Sequence, residues 1–328
     1  MLMVTGGAGF IGSCLLAALD ERGEPDLVVC DRLGSGDKWR NLAKRRLADL
    51  VPPEELERWL DGPGRRLRAL VHLGAVSSTV ESDADLIVAS NLRLTLRLWD
   101  WCARRRVPFL YASSAAVYGD GAAGFEDSLA PSDLAALRPL NPYGWSKLAA
   151  DRRIAELVAR GMPRPPQWAG LRFFNVYGPN EYHKGGQQSL VPQLYRQVEA
   201  TGRAALFRSY RADYVDGGQE RDFVWIDDVV GVMMWLLERP DVSGLFNVGS
   251  GRARSFADLA HAVFAAMGRT PVIEFVDMPE TLRERYQYHT CARLDRLRAA
   301  GCPFQPTPLE EGVRRYVEGY LGTADPYR

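Results

Sequence analysis

The sequence predicts an α/β protein: a doubly wound parallel sheet flanked by helices, with a smaller, interleaved lobe built from the C-terminal part of the chain. Three observations carry this prediction. Residues 2–4, 27–30 and 70–73 are short, continuous apolar runs, the pattern of strands buried on both faces. Longer stretches, such as residues 91–103, repeat Leu and Trp at helical spacing. Strand and helix alternate through the first half of the chain, which implies parallel neighbours joined by helical crossovers.

The first apolar run leads into V-T-G-G-A-G-F-I-G over residues 4–12, in which Gly7, Gly9 and Gly12 satisfy G-x-G-x-x-G. The first two glycines let backbone approach a pyrophosphate; the third packs helix on strand. A helix starting near Phe10 would meet the phosphates with unpaired amides and the positive end of its dipole. Asp31 closes the second run about 20 residues later, where a ribose hydroxyl is met in a Rossmann-type dinucleotide fold. Gly6, Gly9, Phe10, Ile11 and Gly12 are therefore cofactor candidates, with Asp31, Arg32 and Lys38 at the ribose. Asp31 alone favours the free 2′-hydroxyl of NAD. Arg32 and Lys38 suit a 2′-phosphate, so NADP is the expected cofactor, with NAD the alternative.

The third run ends at Leu73 and leads into Gly74 and Ala75, which are small enough for a ligand's close approach, and the three are cofactor candidates. Ser77, Ser78 and Thr79 then offer hydroxyls to cofactor or substrate, or cap a helix. Residues 107–112 read as the next strand, leading into Ser113 and Ser114. Tyr143 and Lys147 follow at positions i and i+4, one face of a helix. A tyrosine beside an ammonium is more readily ionised and can take a proton from a sugar hydroxyl while hydride leaves the same carbon; Ser114 would hold that oxygen.

Composition narrows the classes. The chain of 328 residues has 46% apolar and 25% charged residues, ordinary for a globular fold. Its 41 basic and 41 acidic residues cancel, so no charge excess argues for a nucleic-acid or membrane-surface partner. Cys14, Cys30, Cys102, Cys291 and Cys302 form no C-x-x-C pair, which suits free thiols, and no apolar run approaches the roughly 20 residues of a membrane span. A cytoplasmic protein is expected. The four histidines are widely separated, so no metal site is expected, and His72 reads as a satisfied core residue.

T-G-G-A-G-F-I-G, S-S-A-A-V-Y-G and Y-G-W-S-K resemble the extended short-chain dehydrogenase/reductase superfamily over nearly the whole chain. Within it, F-N-V-Y-G-P-N-E-Y-H-K-G over residues 174–185, R-D-F-V over 221–224 and R-Y-Q over 285–287 resemble the ADP-glycero-manno-heptose 6-epimerases. The resemblance implies a homo-oligomer acting on an ADP-heptose, with Ser114, Tyr143 and Lys147 catalytic and Lys184 a second acid/base. It also implies Asn91 and Val176 at the cofactor, and Ser78, Asn175, Gly186, Gln193, Phe207, Arg221 and Tyr286 at the substrate. Another nucleotide-sugar epimerase or reductase, or a non-catalytic dinucleotide sensor, is the alternative. A dehydratase is disfavoured because Ala115 and Ala116 follow Ser114 where those relatives place carboxylates. The expected division is a dinucleotide domain over 1–170, to which 214–240 returns, and a substrate lobe over 171–213 and 241–328.

Overall fold

The structure, a computed structural model, describes residues 1–283 and 286–328. In chain order its strands are β1 (Leu2–Thr5), β2 (Leu27–Cys30), β3 (Asp49–Val51), β4 (Ala69–His72), β5 (Phe109–Ser114) and β6 (Trp168–Phe173). They continue with β7 (Asn175–Tyr177), β8 (Ala204–Phe207), β9 (Glu220–Trp225), β10 (Gly244–Val248), β11 (Ala253–Ser255) and β12 (Ile273–Val276). The helices are α1 (Phe10–Glu21), α2 (Leu56–Asp61), α3 (Ala84–Ile87), α4 (Leu94–Arg105), α5 (Pro131–Ala136) and α6 (Pro142–Ala159). After them come α7 (Leu190–Thr201), α8 (Ile226–Leu237), α9 (Phe256–Ala266), α10 (Glu280–Arg283), α11 (Asp295–Ala299) and α12 (Leu309–Tyr316).

Seven strands make one sheet in the order β10-β6-β5-β4-β1-β2-β3, every neighbouring pair parallel. The apolar runs are buried on both faces because helices cover both sides. One core gathers Val4, Leu15, Leu16 and Val29 with α8 residues such as Val229 and Met233; the other gathers Met3, Val28, Trp99, Phe109 and Trp168. Each such side chain taken wholly from water contributes about 1.5–3 kcal/mol. The register aligns Thr5 with Cys30 on one side and His72 on the other. These strand ends therefore finish level, and the crevice beyond them is where an open α/β sheet binds its ligand.

Strand placement departs from the sequence division at two points. Residues 244–248, expected in the substrate lobe, supply the seventh strand of the main sheet, paired with β6 from Gly244 and Ala169 to Val248 and Phe173. Their fully buried L-F-N-V run needs cover on both faces, which the sheet edge beside β6 provides. β9, in the stretch expected to return to the large domain, joins β7 and β11 in a separate three-stranded sheet; only α8 returns, packing on α1. β8 and β12 form a further parallel pair. β3 carried no sequence signal, being three residues long with two of them exposed.

Candidate active site

One cavity of about 940 Å³ runs along the ends of β1, β4 and β5 and onward beneath the smaller sheets. That is the upper end of the usual ligand-site range of about 300–1,000 Å³. Gly6, Gly9, Phe10, Ile11 and Gly12 line one end. Gly6 has φ +68°, and a Cβ there would come 2.6 Å from the Gly74 nitrogen; at Gly12 a Cβ would run into the Gly6 carbonyl and lie 2.9 Å from Gly7 Cα. Gly9 caps α1 with no side-chain bond, so the first-turn amides keep no side-chain partner. A bare backbone loop opening a helix onto a cavity fits a pyrophosphate, and this chain's residues therefore fit a dinucleotide.

Beyond the end of β2, Asp31 and Lys38 line the cavity, bonded to one another. Asp31 Oδ2 also accepts the Ala8 amide at 2.9 Å. Arg32 is placed differently from the sequence expectation: its exposed guanidinium pairs with Glu54, Nε at 2.8 Å, and lies off the cavity wall.

Leu73, Gly74, Ala75 and Ser77 form the next part of the wall. Ser78 stands outside it, its hydroxyl accepting from Gln187 Nε2 at 3.1 Å, and the helix cap expected of these hydroxyls is made by Asp83, which accepts the Leu86 amide at 2.9 Å. Asn91, expected at the cofactor, is wholly buried in a π-helical turn and its amide is already engaged. It accepts from Val76 N at 2.8 Å and donates to Val76 O at 2.9 Å and Ser146 Oγ at 3.1 Å. Ser146 Oγ in turn donates to Tyr143 O at 2.7 Å, so Asn91 ties the wall loop to the start of α6.

Ser114 ends β5, and its hydroxyl accepts the Ala116 amide at 3.1 Å. Asn141 caps α6 by accepting the Gly144 amide at 2.8 Å, with Pro142 in the first turn. Gly144 lets α6 close on the turn after β5, since a Cβ there would lie 2.6 Å from the Ala116 carbonyl oxygen. Ser114, Tyr143 and Lys147 thereby meet on the cavity wall. Burial pushes the Tyr143 phenol up, and the bond with Ser114 pulls the other way. Lys147 Nζ donates to Ala112 O at 2.9 Å. Burial brings the Lys147 ammonium down to about 8, opposed by the Asp151 carboxylate, which Arg172, Ser113 and Tyr111 hold at 3.0, 2.9 and 3.2 Å.

Lys184 reaches the same cavity from the 3₁₀ turn Tyr182–Gln187. Its Nζ lies 5.6 Å from the Phe10 ring centre; burial lowers its pKa and the Glu181 carboxylate opposes that. His183 also lines the wall, brought down to about 4 by burial and the nearby Lys38 and Lys184 charges. At the far end Asn175, Val176, Gly186, Gln193, Phe207 and Tyr286 line the cavity. Arg221 does not: it is buried behind the wall, its guanidinium 5.1 Å from the Tyr286 ring centre and 5.5 Å from that of Phe256. It stands behind two of the aromatic rings that form this end of the wall. Arg285, in the motif with Tyr286, lies outside the described residues. His183, Gln187, Gln197 and Gln219 are wall residues that sequence reasoning missed. His183 sat inside the quoted H-K-G; the glutamines carried no signal, being converged by the fold.

The model of the NAD dependent epimerase/dehydratase family matches residues 2–249. The chain is 49% identical to the ADP-L-glycero-D-manno-heptose-6-epimerase of Nitratidesulfovibrio vulgaris (strain DP4), covering 100% of both chains, and 42% identical to that of Fusobacterium nucleatum subsp. nucleatum over 100% of both. Among solved structures it is similar to the Helicobacter pylori ADP-L-glycero-D-manno-heptose-6-epimerase, with a TM-score of 0.79, 27% identity, and 97% of this chain and 95% of that one covered. The UDP-glucose 4-epimerase of Thermus thermophilus in complex with NAD gives a TM-score of 0.72 at 26% identity, covering 95% and 96%. With full-length identity at this level and the dinucleotide loop, Ser114, Tyr143 and Lys147 gathered on one wall, the chain belongs to the NAD dependent epimerase/dehydratase family, among the ADP-L-glycero-D-manno-heptose-6-epimerases.

Proposed function

We propose that the chain inverts C6 of an ADP-linked glycero-manno-heptose by transient oxidation and re-reduction, with NADP as its resident cofactor. The observation that carries this reading is that two proton-carrying side chains, Tyr143 and Lys184, enter one cavity from separate elements. Gly6, Gly9, Gly12 and the first turn of α1 would hold the pyrophosphate, and Asp31 and Lys38 the adenosine ribose. When bound, the dinucleotide supplies an acceptor that takes the C6 hydride and returns it, so no net redox results.

The chain's own residues handle the proton and the geometry. Burial keeps the Tyr143 phenol protonated, so its Oη is poised to donate, with Ser114 Oγ beside it to hold the sugar oxygen. Burial moves Lys184 the other way, towards the neutral amine that accepts a proton from the C6 hydroxyl. Returning hydride to the opposite face requires the sugar oxygen to occupy two positions, and each position has its own acid/base; the roles reverse with the direction of reaction. Lys38 supports NADP, because its ammonium lies on the cavity wall and neutralises Asp31. The same reading includes the family's homo-oligomeric state, tested by sedimentation velocity, and a cytoplasmic location, in keeping with five free cysteines of which four are buried.

Proton NMR of either ADP-heptose epimer with purified protein and no added cofactor tests the function. The expected result is an equilibrium mixture of both C6 epimers. No interconversion of the heptose, with turnover of another sugar nucleotide instead, overturns the reading.

A further inference from the structure

The loop that carries Lys184 is not free-standing: it is bonded to the segments that form the dinucleotide site. Asn41, buried in the 3₁₀ turn Asp37–Leu42, donates through Nδ2 to Ala8 O at 2.9 Å and to Asn180 O at 3.0 Å, with His183 Nδ1 at 3.3 Å. Ala8 belongs to the glycine loop, and its own amide is bonded to Asp31, so both sides of that residue are pinned. Asn180 is wholly buried and left-handed, with φ +71°, a conformation asparagine tolerates better than most residues. Its Nδ2 donates to Ser13 Oγ at 3.0 Å, and Ser13 Oγ donates to Phe10 O at 3.0 Å. Its Oδ1 accepts the Arg328 amide at 2.9 Å. Cys14 Sγ reaches Pro179 O at 3.5 Å, a further link from α1 to the same turn. The Lys184 amide donates to Glu181 O at 3.0 Å, one residue beyond Asn180.

We infer that Asn41 and Asn180 are positioning residues for Lys184, setting the place of its amine relative to the dinucleotide loop. Neither touches the reacting carbon. Both couple the backbone of residues 8–13 to the turn four residues ahead of the lysine. The need for such a link follows from the chemistry of the proposed reaction, on whose assignment of Lys184 this inference rests. The amine must meet the oxygen of a carbon that faces a dinucleotide whose pyrophosphate the glycine loop would hold, and a displacement of about 1 Å can cost a hundredfold in rate. Asparagine suits the joint because Nδ2 carries two hydrogens and can serve Ala8 and Asn180 together.

The test is a double-mutant cycle on epimerisation at saturating ADP-heptose, using the holoenzyme. Asn41→Ala is expected to lower kcat about a hundredfold, with KM changed less than about threefold and the dinucleotide content of the purified protein retained. Asn180→Gly, which keeps the left-handed backbone while removing the side chain, is expected to act in the same direction and guards against a folding defect. In a Lys184→Met background, either change is expected to add less than about threefold, because the group it positions is already gone. If Lys184→Met lowers kcat and Asn41→Ala multiplies that loss in full, the asparagine acts independently of the lysine and the inference is overturned. If Lys184→Met alone leaves kcat intact, the acid/base reading of Lys184 fails first, and the inference with it.

Discussion

Asp31 and Lys38 are bonded to one another on the cavity wall, Lys38 Nζ standing 2.6 Å from Asp31 Oδ1, with the Lys38 and Asp31 side chains only 23% and 11% exposed. Weighed separately, one argues for a 2′-hydroxyl and the other for a 2′-phosphate. As a pair they resolve differently: Asp31 already accepts from Lys38, from the Ala8 amide and from the Arg32 amide, so little of its acceptor capacity is left for a ribose hydroxyl. Calorimetry on protein stripped of nucleotide is expected to show tighter binding of NADP than of NAD. Lys38→Met should erase that preference, roughly tenfold to a hundredfold, the worth of a charge-assisted bond. A clear NAD preference in the unaltered protein would refute the NADP assignment.

Tyr143→Phe is expected to lower kcat by about 10² to 10⁴, the usual contribution of an acid/base group. The ring and its packing remain, so the variant should retain nucleotide and an unchanged melting temperature. Epimerisation at the unaltered rate, followed by NMR, would remove Tyr143 from the reaction.

Lys184→Met is expected to reduce kcat on a similar scale while leaving KM for ADP-heptose within a few-fold. Methionine keeps an unbranched apolar side chain, so the packing of the turn is expected to survive. The contrary result, a raised KM with kcat preserved, assigns Lys184 to phosphate binding alone.

His72 offers a stability test with a definite sign. It is buried, Nδ1 lies 2.6 Å from Thr5 Oγ1 and Nε2 lies 3.0 Å from Thr95 Oγ1. Because Thr95 Oγ1 donates to Asn91 O at 2.7 Å, it accepts from Nε2–H, leaving Nδ1 to accept from Thr5. Burial, with the Lys147 charge, brings the imidazole down to about 3 from the usual 6.5. Between those two values the unfolded chain therefore holds a proton that the folded chain lacks. This contribution is present above the unfolded value and lost as pH falls towards the folded one. In urea unfolding between about pH 6 and 5, His72→Gln should show a slope of stability against pH that is shallower by up to about 1.4 kcal/mol per unit. Equal slopes for the two proteins would place the His72 proton elsewhere.

How much of this was legible differs by residue. The glycine loop could be read because its three glycines answer purely local demands: a tight turn, close approach of backbone, and a helix packed on a strand. Tyr143 and Lys147 could be read because one helical turn separates them, and a helix fixes their shared face. Arg221 could not be placed, since nothing adjacent to it in the chain announces that Phe256 and Tyr286 will close over its guanidinium. The partners of Asn91 and Ser78 could not be read for the same reason, their polar groups meeting Val76 and Gln187 from other loops.

By itself, then, the sequence determined the alternation of strand and helix, the parallel sheet and the dinucleotide loop, because apolar periodicity and glycine geometry act over a few residues. Tertiary structure decided which side chains face the cavity and which stand behind it. It joined β10 to the main sheet and β9 to the smaller one, and it turned Lys147 towards Ala112. It also enclosed the Tyr143 phenol, since burial depends on what the whole chain brings around it, and no local pattern encodes that enclosure.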